Sequence, residues 1–306
     1  MTVHSLLGYT LRVPDVPAGK RFYEDFGLIG RDYSDRLGFR VESGDAEPVT
    51  LTEGKGRRLA HVVLGVAPDQ AKSLQQRIEK AGAKLVDPPR AEGNAVFAVR
   101  DPEDNLIVLK TCQKAEFLPK RRANIQKVGA GFSREAAVRG CPARDGVIRP
   151  WRLGHVLLFT TNVDRQIKFY TEALGMKLSD RSGDIICFIR VPGGSDHHVI
   201  AFAKSDRPGF HHASFEVSSV DQVGHGAVRM IDKGWKSGWG FGRHVLGSNY
   251  FHYIRDPWNS LAEYFFDIDY IADDAKWEAR DWPAEDSLYL WGPSVPPDFV
   301  QNFDNA

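Results

Sequence analysis

The chain has 306 residues, which at ordinary domain sizes makes two domains the first expectation. Hydrophobic residues are 42% and charged residues 26%, with 40 Lys+Arg against 40 Asp+Glu and a formal net charge of +0. That balance argues against disorder, collagen and coiled coil, and leaves no overall electrostatic pull toward nucleic acid or an anionic membrane. No apolar run approaches the ~18 residues of a membrane span, and the opening MTVHSLLGYTLRVPD lacks the layout of a signal peptide, so a cytoplasmic protein with a small ligand is expected. Cys112, Cys141 and Cys187 are widely spaced with no C-x-x-C pair. A disulfide framework and a thiolate metal site are therefore not indicated, and any metal must be held by histidine and carboxylate.

In chain order, a strand-like run begins near Leu6 with Gly8-Tyr9-Thr10-Leu11, and VPAGKRFYEDFG follows with apolar residues at helical spacing, closing at Gly27. A second run begins near Leu59 with Ala60-His61-Val62-Val63-Leu64, followed by the helix-period segment DQAKSLQQRIEKAG and, further on, Arg100-Asp101-Pro102. Residues 114–150 are basic, Gly/Ala-rich and without sustained period, which reads as a linker; its Lys120-Arg121-Arg122 cluster is expected to be a solvated charge run. A third run begins near Leu153 with Gly154-His155-Val156-Leu157, leads into NVDRQIKFYTEALG, and ends in a strand at Val199-Ile200-Ala201-Phe202. The fourth begins near Phe210 with His211-His212-Ala213, continues through SVDQVGHGAVRMIDKG and Arg255-Asp256-Pro257, and ends in a strand at Ala262-Glu263-Tyr264-Phe265. The tail carries Trp277, Trp282, Tyr289, Trp291, Phe299 and Phe303, and is expected to pack on the second domain or across a subunit interface.

The first two units are echoed by the last two: Gly8 by Gly154, Phe22-Tyr23 by Phe169-Tyr170, His61 by His212, and Pro102 by Pro257, at an offset that grows slowly as insertions would make it. The expectation is an α+β chain of strand, helix and about three strands repeated four times: a domain at 1–113, a linker at 114–150, a second domain at 151–268 and a tail at 269–306.

Eight of the ten histidines fall in the second half. A lone strand histidine is ordinarily a hydrogen-bonded core residue, and that is the expectation for His197, His211, His225 and His252. His155 and His212 differ, because both fall early in the first strands of their units, and Glu263 falls in the last strand of unit four. Two histidines and one carboxylate leave half of an octahedron open, as in non-haem Fe(II) oxygenases. In the first half the counterpart of His155 reads as Tyr9 and that of Glu263 as Val108, and only His61 survives. One complete triad beside an incomplete copy fits a catalytic domain next to a duplicated scaffold.

These phrases resemble the type I extradiol ring-cleavage dioxygenases of the vicinal oxygen chelate superfamily. Gly154-His155-Val156, His211-His212 before a Phe-Glu-Val strand, and Asp256-Pro257-Trp258-Asn259-Ser260-Leu261-Ala262-Glu263-Tyr264 are similar to the family's three ligand motifs. The resemblance implies two domains, each of two βαβββ units, with His155, His212 and Glu263 as ligands of Fe(II), preferred over Mn(II). It implies His198, in Asp196-His197-His198-Val199, as the acid–base group, a task suited to imidazole near neutrality. His244 and Tyr253, at the family's spacing, would bind substrate by hydrogen bonds in a dry pocket. Three residues after that histidine many relatives carry a polar side chain, where this chain has Gly247, followed by Ser248 and Asn249. The implied reaction opens a catechol-type ring beside its hydroxyls with insertion of both atoms of O2. The implied partners are an aromatic diol and O2, in a homo-oligomer. Rival functions are a glyoxalase-like or thiol-transferase metalloenzyme on the same fold, or a metal-free small-molecule-binding protein; the glyoxalase type would want a fourth ligand in the last strand of unit three, and Val199-Ile200-Ala201-Phe202 offers none.

Overall fold

A computed structural model describes residues 2–115, 146–273 and 276–304. Lys120-Arg121-Arg122, Cys141 and most of the 114–150 segment lie outside the described residues. The first half runs β1 (Val3–Val13), α1 (Val16–Phe26), β2 (Ile29–Asp32), β3 (Leu37–Arg40), β4 (Val49–Glu53), β5 (Arg58–Val66), α2 (Ala71–Lys80), β6 (Leu85–Val86), β7 (Ala95–Arg100) and β8 (Leu106–Thr111). The second runs β9 (Arg152–Thr160), α3 (Val163–Lys168, extended by a wide turn over Phe169–Ala173), β10 (Lys177–Ser182), β11 (Ile186–Arg190), β12 (Ser195–Asp196), β13 (Ile200–Lys204), β14 (Gly209–Glu216), α4 (Val220–Asp232), β15 (Ser237–His244), β16 (Tyr250–Arg255) and β17 (Leu261–Phe266). The tail adds β18 (Tyr270–Ile271), β19 (Arg280–Asp281) and β20 (Tyr289–Trp291).

All four helices lie where the apolar spacing puts them. Asp15, Asn162 and Ser219 cap α1, α3 and α4 by accepting from backbone N–H groups of the first turn, and Gly27 ends α1 in the left-handed conformation. The fold is α+β, and each half is a pair of βαβββ units. In each, the first strands of the two units run antiparallel at the centre, β1 against β5 and β9 against β14. Each of these strands also pairs in parallel with the last strand of its own unit, β4, β8, β13 or β17.

The repeat extends to an irregularity in the central pairing. Leu7 in β1 and Gly154 in β9 are each skipped, and beyond the skip Gly8 faces Val63 as His155 faces Ser214. The counterpart of His155 is therefore Gly8 and not Tyr9, which corresponds to Val156 and lies in the core. A skipped residue shifts the alternation by one and re-aims the next side chain, which matching by Gly8 and Gly154 could not reveal. Position 154 must be glycine on space alone, since a Cβ there would lie 2.4 Å from the Phe265 ring.

The two halves share one apolar core. Phe26 of α1 stacks on Tyr264 of β17 with ring centroids 3.8 Å apart, and the Tyr264 hydroxyl donates to the Phe26 carbonyl at 2.7 Å. Phe22 meets Trp235 edge-on, and Tyr9 stacks on Phe210. The tail packs on the second sheet of its own chain, with β19 extending one edge beside β10 and β20 the other beside β15. Its end is tied to the first half by the buried guanidinium of Arg57, which pairs with Asp304, approaches Asp256 at 3.8 Å and donates to the Phe210 carbonyl.

Candidate metal centre

Three adjacent strands bring the triad together by register alone. Ser214 of β14 faces His155 across one ladder and Glu263 across the other, so all three side chains lie on one face. His212, two residues before Ser214, shares that face by alternation. The ligand-capable atoms of His155, His212 and Glu263 lie within 4.8 Å of one another, and all three residues are buried. The Nε2 atoms of His155 and His212 stand 3.3 and 3.5 Å from Glu263 Oε2.

The bonding around this cluster points its free atoms inward. His211 Nε2 donates to the Phe299 carbonyl at 2.8 Å, since a carbonyl can only accept. Burial lowers His211 to about 3, so its ring is neutral and Nδ1 must be the acceptor in the 2.7 Å contact with His212 Nδ1. The proton of His212 is thereby placed on Nδ1, and Nε2 carries the lone pair. His212 Nε2 and Glu263 Oε2 are both buried without a hydrogen-bond partner, although such atoms ordinarily find one. Glu263 Oε1 accepts from the buried Asn249 amide at 3.2 Å. The unpartnered His212 Nε2 and Glu263 Oε2, each oriented through its residue's other polar atom, stand beside His155 Nε2 and fit a divalent metal of the borderline or hard type.

Around the triad lies a cavity of about 260 Å³, lined on its polar side by His198, His244, Asn249 and Tyr253 and elsewhere by Leu157, Phe188, Leu246, Leu288 and Phe299. His198, just before β13, brings its ring centroid to 4.2 Å from that of His155. Burial, with His155, His197, His244 and His212 nearby, pushes its pKa well below the ordinary imidazole value. His244 at the end of β15 donates from Nδ1 to the Leu288 carbonyl at 2.7 Å, and its Nε2 lies 2.9 Å from the Tyr253 hydroxyl. Burial lowers His244, against the pull of Glu263, so Nε2 accepts and Tyr253 donates. Burial and the neighbouring Glu263 carboxylate hold Tyr253 well above the usual phenol range, so it keeps its proton.

Every residue singled out from the sequence for this site is brought to it. Asn249 was not singled out. Gly247, at φ +92°, and Ser248, at φ +62°, form the turn that carries the chain to it, so the polar group stands two positions later than expected. His197 and His211, expected to be ordinary buried residues, are buried and bonded, each to the histidine that follows it. His252 accords with the structural expectation: it bonds the Ser237 hydroxyl, and burial lowers it to about 4.

Among the described residues the first half lacks the cluster. Val63 faces Val108 where Ser214 faces Glu263, and both belong to a small apolar group with Ala98. His61 is engaged elsewhere, its Nε2 2.7 Å from Glu92 Oε1, while Lys110 pairs with the other oxygen of Glu92 at 2.6 Å.

The chain has relatives among known proteins. The sequence profile of the Glyoxalase/Bleomycin resistance protein/Dioxygenase superfamily matches residues 5–109 and 152–264. Metapyrocatechase 2 of Cupriavidus necator is 43% identical over 301 residues, 98% of this chain and 92% of that protein. An iron-dependent extradiol dioxygenase of Rhodococcus jostii (strain RHA1) is 31% identical over 155 residues, 46% of this chain and 50% of that one. Among solved structures, a Mn(II)-bound glyoxalase from Novosphingobium aromaticivorans superposes with a TM-score of 0.76 at 25% identity, covering 98% of both chains. No helix among the described residues is long and apolar enough to cross a membrane.

Proposed function

Because the chain belongs to the glyoxalase/bleomycin resistance protein/dioxygenase superfamily, and within it to the type I extradiol ring-cleaving dioxygenases, we propose that it opens a catechol-type ring beside its vicinal hydroxyls using Fe(II) held by His155, His212 and Glu263. The observation that carries this reading is the convergence of unpartnered His212 Nε2 and Glu263 Oε2 beside His155 Nε2 in a largely apolar cavity. The ligand types suit iron and manganese alike; iron is preferred because the Rhodococcus relative is described as iron-dependent. The bound metal would supply a Lewis-acid and redox centre at which diol and dioxygen are brought together.

The residues of the chain do the rest. His198 takes the proton of a diol hydroxyl on Nε2 and returns it as the ring opens, which asks for an imidazole kept neutral until the substrate arrives. Tyr253 keeps its proton and, when substrate enters, turns its one O–H from His244 Nε2 to a substrate oxygen, so that the diol is held in one orientation. Leu157, Phe188, Leu246 and Phe299 keep water away from these bonds, where low dielectric strengthens them. A glyoxalase-type reaction lacks its fourth ligand, because the strand Ile200–Lys204 brings no carboxylate to the triad.

The test is His198→Phe. It should keep the metal and bind catechols anaerobically with modest change, while turnover falls by ~10²–10⁴-fold. Loss of metal would make His198 a ligand, and unchanged turnover would remove it from the reaction.

A further inference from the structure

Resting on the reading of His198 as the acid–base group, we propose that Asp180 and His197 form a positioning relay that keeps the His198 proton on Nδ1 and presents Nε2 to the cavity as a lone pair. His197 is fully buried and bonded at both ring nitrogens. Its Nε2 lies 2.8 Å from Asp180 Oδ2, and a carboxylate only accepts, so that nitrogen carries a hydrogen. The relay assigns His197 that one ring hydrogen, which makes its Nδ1 the acceptor for His198 Nδ1, 3.0 Å away. His198 lines the cavity, and Nε2 is its remaining ring nitrogen. The form of His198 is thus set by what its other nitrogen bonds.

The relay is itself anchored. Asp180 Oδ1 accepts from the Arg280 backbone N–H at 2.8 Å and from the Trp282 indole at 3.2 Å. The His197 backbone N–H donates to the Asp269 carbonyl at 2.7 Å, and Trp277 covers the imidazole edge-on with centroids 5.5 Å apart. Filling space in a core needs no carboxylate on one nitrogen and a cavity-lining ring on the other. The triad offers an internal parallel, in which the Phe299 carbonyl fixes His211 and His211 fixes His212. One device thus serves both adjacent histidine pairs, with a ligand at the end of one and the acid–base group at the end of the other.

Three variants of the iron-loaded full-length enzyme, His197→Phe, His197→Asn and His198→Phe, are compared for metal content, kcat and diol KM. His197→Phe should lose roughly 10–100-fold in kcat with near-native metal and KM, and His197→Asn, whose amide oxygen can accept near the Nδ1 position, should recover most of it. Independently of turnover, ¹⁵N NMR of the Zn(II)-loaded chain with labelled histidine should show His198 protonated on Nδ1 and bare on Nε2, its signals identified by their loss in His198→Phe. In His197→Phe that preference should weaken. Native kcat in His197→Phe, loss of its metal, failure of His197→Asn to rescue, or a His198 protonated on Nε2 in the native chain would each overturn the relay. Native turnover in His198→Phe would instead refute the acid–base role on which the relay rests.

Discussion

His211 and His212 meet through their Nδ1 atoms at 2.7 Å, and the far side of His211 is held by the backbone carbonyl of Phe299, a residue of the tail. The tail thus reaches the triad through one imidazole. His211→Phe should leave the sheet intact and lower metal affinity by about 10–100-fold, the usual cost of removing a group that orients a ligand. Competition against a chelator, followed by metal analysis, measures it; native affinity would mean that His212 needs no such support.

The first half is expected to be scaffold, and its charged cluster makes that testable by pH. Burial would raise the Glu92 carboxyl, but hydrogen bonds from His61 and Lys110 more than offset it and hold Glu92 at about 2. A carboxylate lowered on folding adds stability above its unfolded value, near 4.5, and loses it as pH falls toward 2. The contribution should be roughly 1–3 kcal/mol, since the pair is not wholly shielded from water. Glu92→Gln should flatten the stability curve between those two values in urea titrations. His61→Ala should leave metal content and turnover unchanged.

How far the sequence foretold this arrangement depends on the kind of interaction. The four units were legible because each helix carries an apolar stripe and stops at a glycine, and His155, His212 and Glu263 stood out because the first half offers only His61 in return. Matching by sequence missed the residue skipped at Leu7 and Gly154, and so equated His155 with Tyr9 where the register makes Gly8 its counterpart. The carbonyls of Leu288 and Phe299 orient His244 and His211, but a backbone carbonyl leaves no mark in the side-chain code. Asp180 reaches His197 between strands whose register no local pattern encodes. Asn249 was hidden by the two left-handed residues before it, which displace the polar group from its expected position.

Tyr253 keeps its proton and shares it with His244. Removing a hydrogen bond to a charged partner costs about 1.5–3 kcal/mol, so Tyr253→Phe should lower kcat by roughly 10–100-fold. His244 remains held by Leu288 and the metal ligands are untouched, so bound iron should stay native. Steady-state kinetics with iron assayed on the same sample decides it, and an unchanged kcat would place Tyr253 outside the reaction.

The cavity wall gives a preference among diols. Among the described residues Lys204 is the one lysine or arginine that lines it, and it is paired with Asp184 at 3.4 Å, while Ile185 and Val300 expose apolar surface at the wall. Each alkyl methylene buried there should lower KM about fourfold, equivalent to ~0.8 kcal/mol. A carboxylated catechol would bring a charge with no buried partner and should bind at least about tenfold more weakly. A KM series over alkyl- and carboxy-substituted catechols checks both; tighter binding of the carboxylates would contradict the apolar reading.

The central claim is that the His155, His212 and Glu263 centre delivers dioxygen to a diol ring. Its most direct test is a single turnover of the iron-loaded protein with a catechol under ¹⁸O2, with mass spectrometry of the ring-opened product. Both labelled atoms should appear in that product, allowing for exchange of any aldehyde oxygen with water, and Glu263→Gln, having lost its iron, should yield none. A ring-opened product carrying label at neither position, or native turnover in Glu263→Gln, would contradict it.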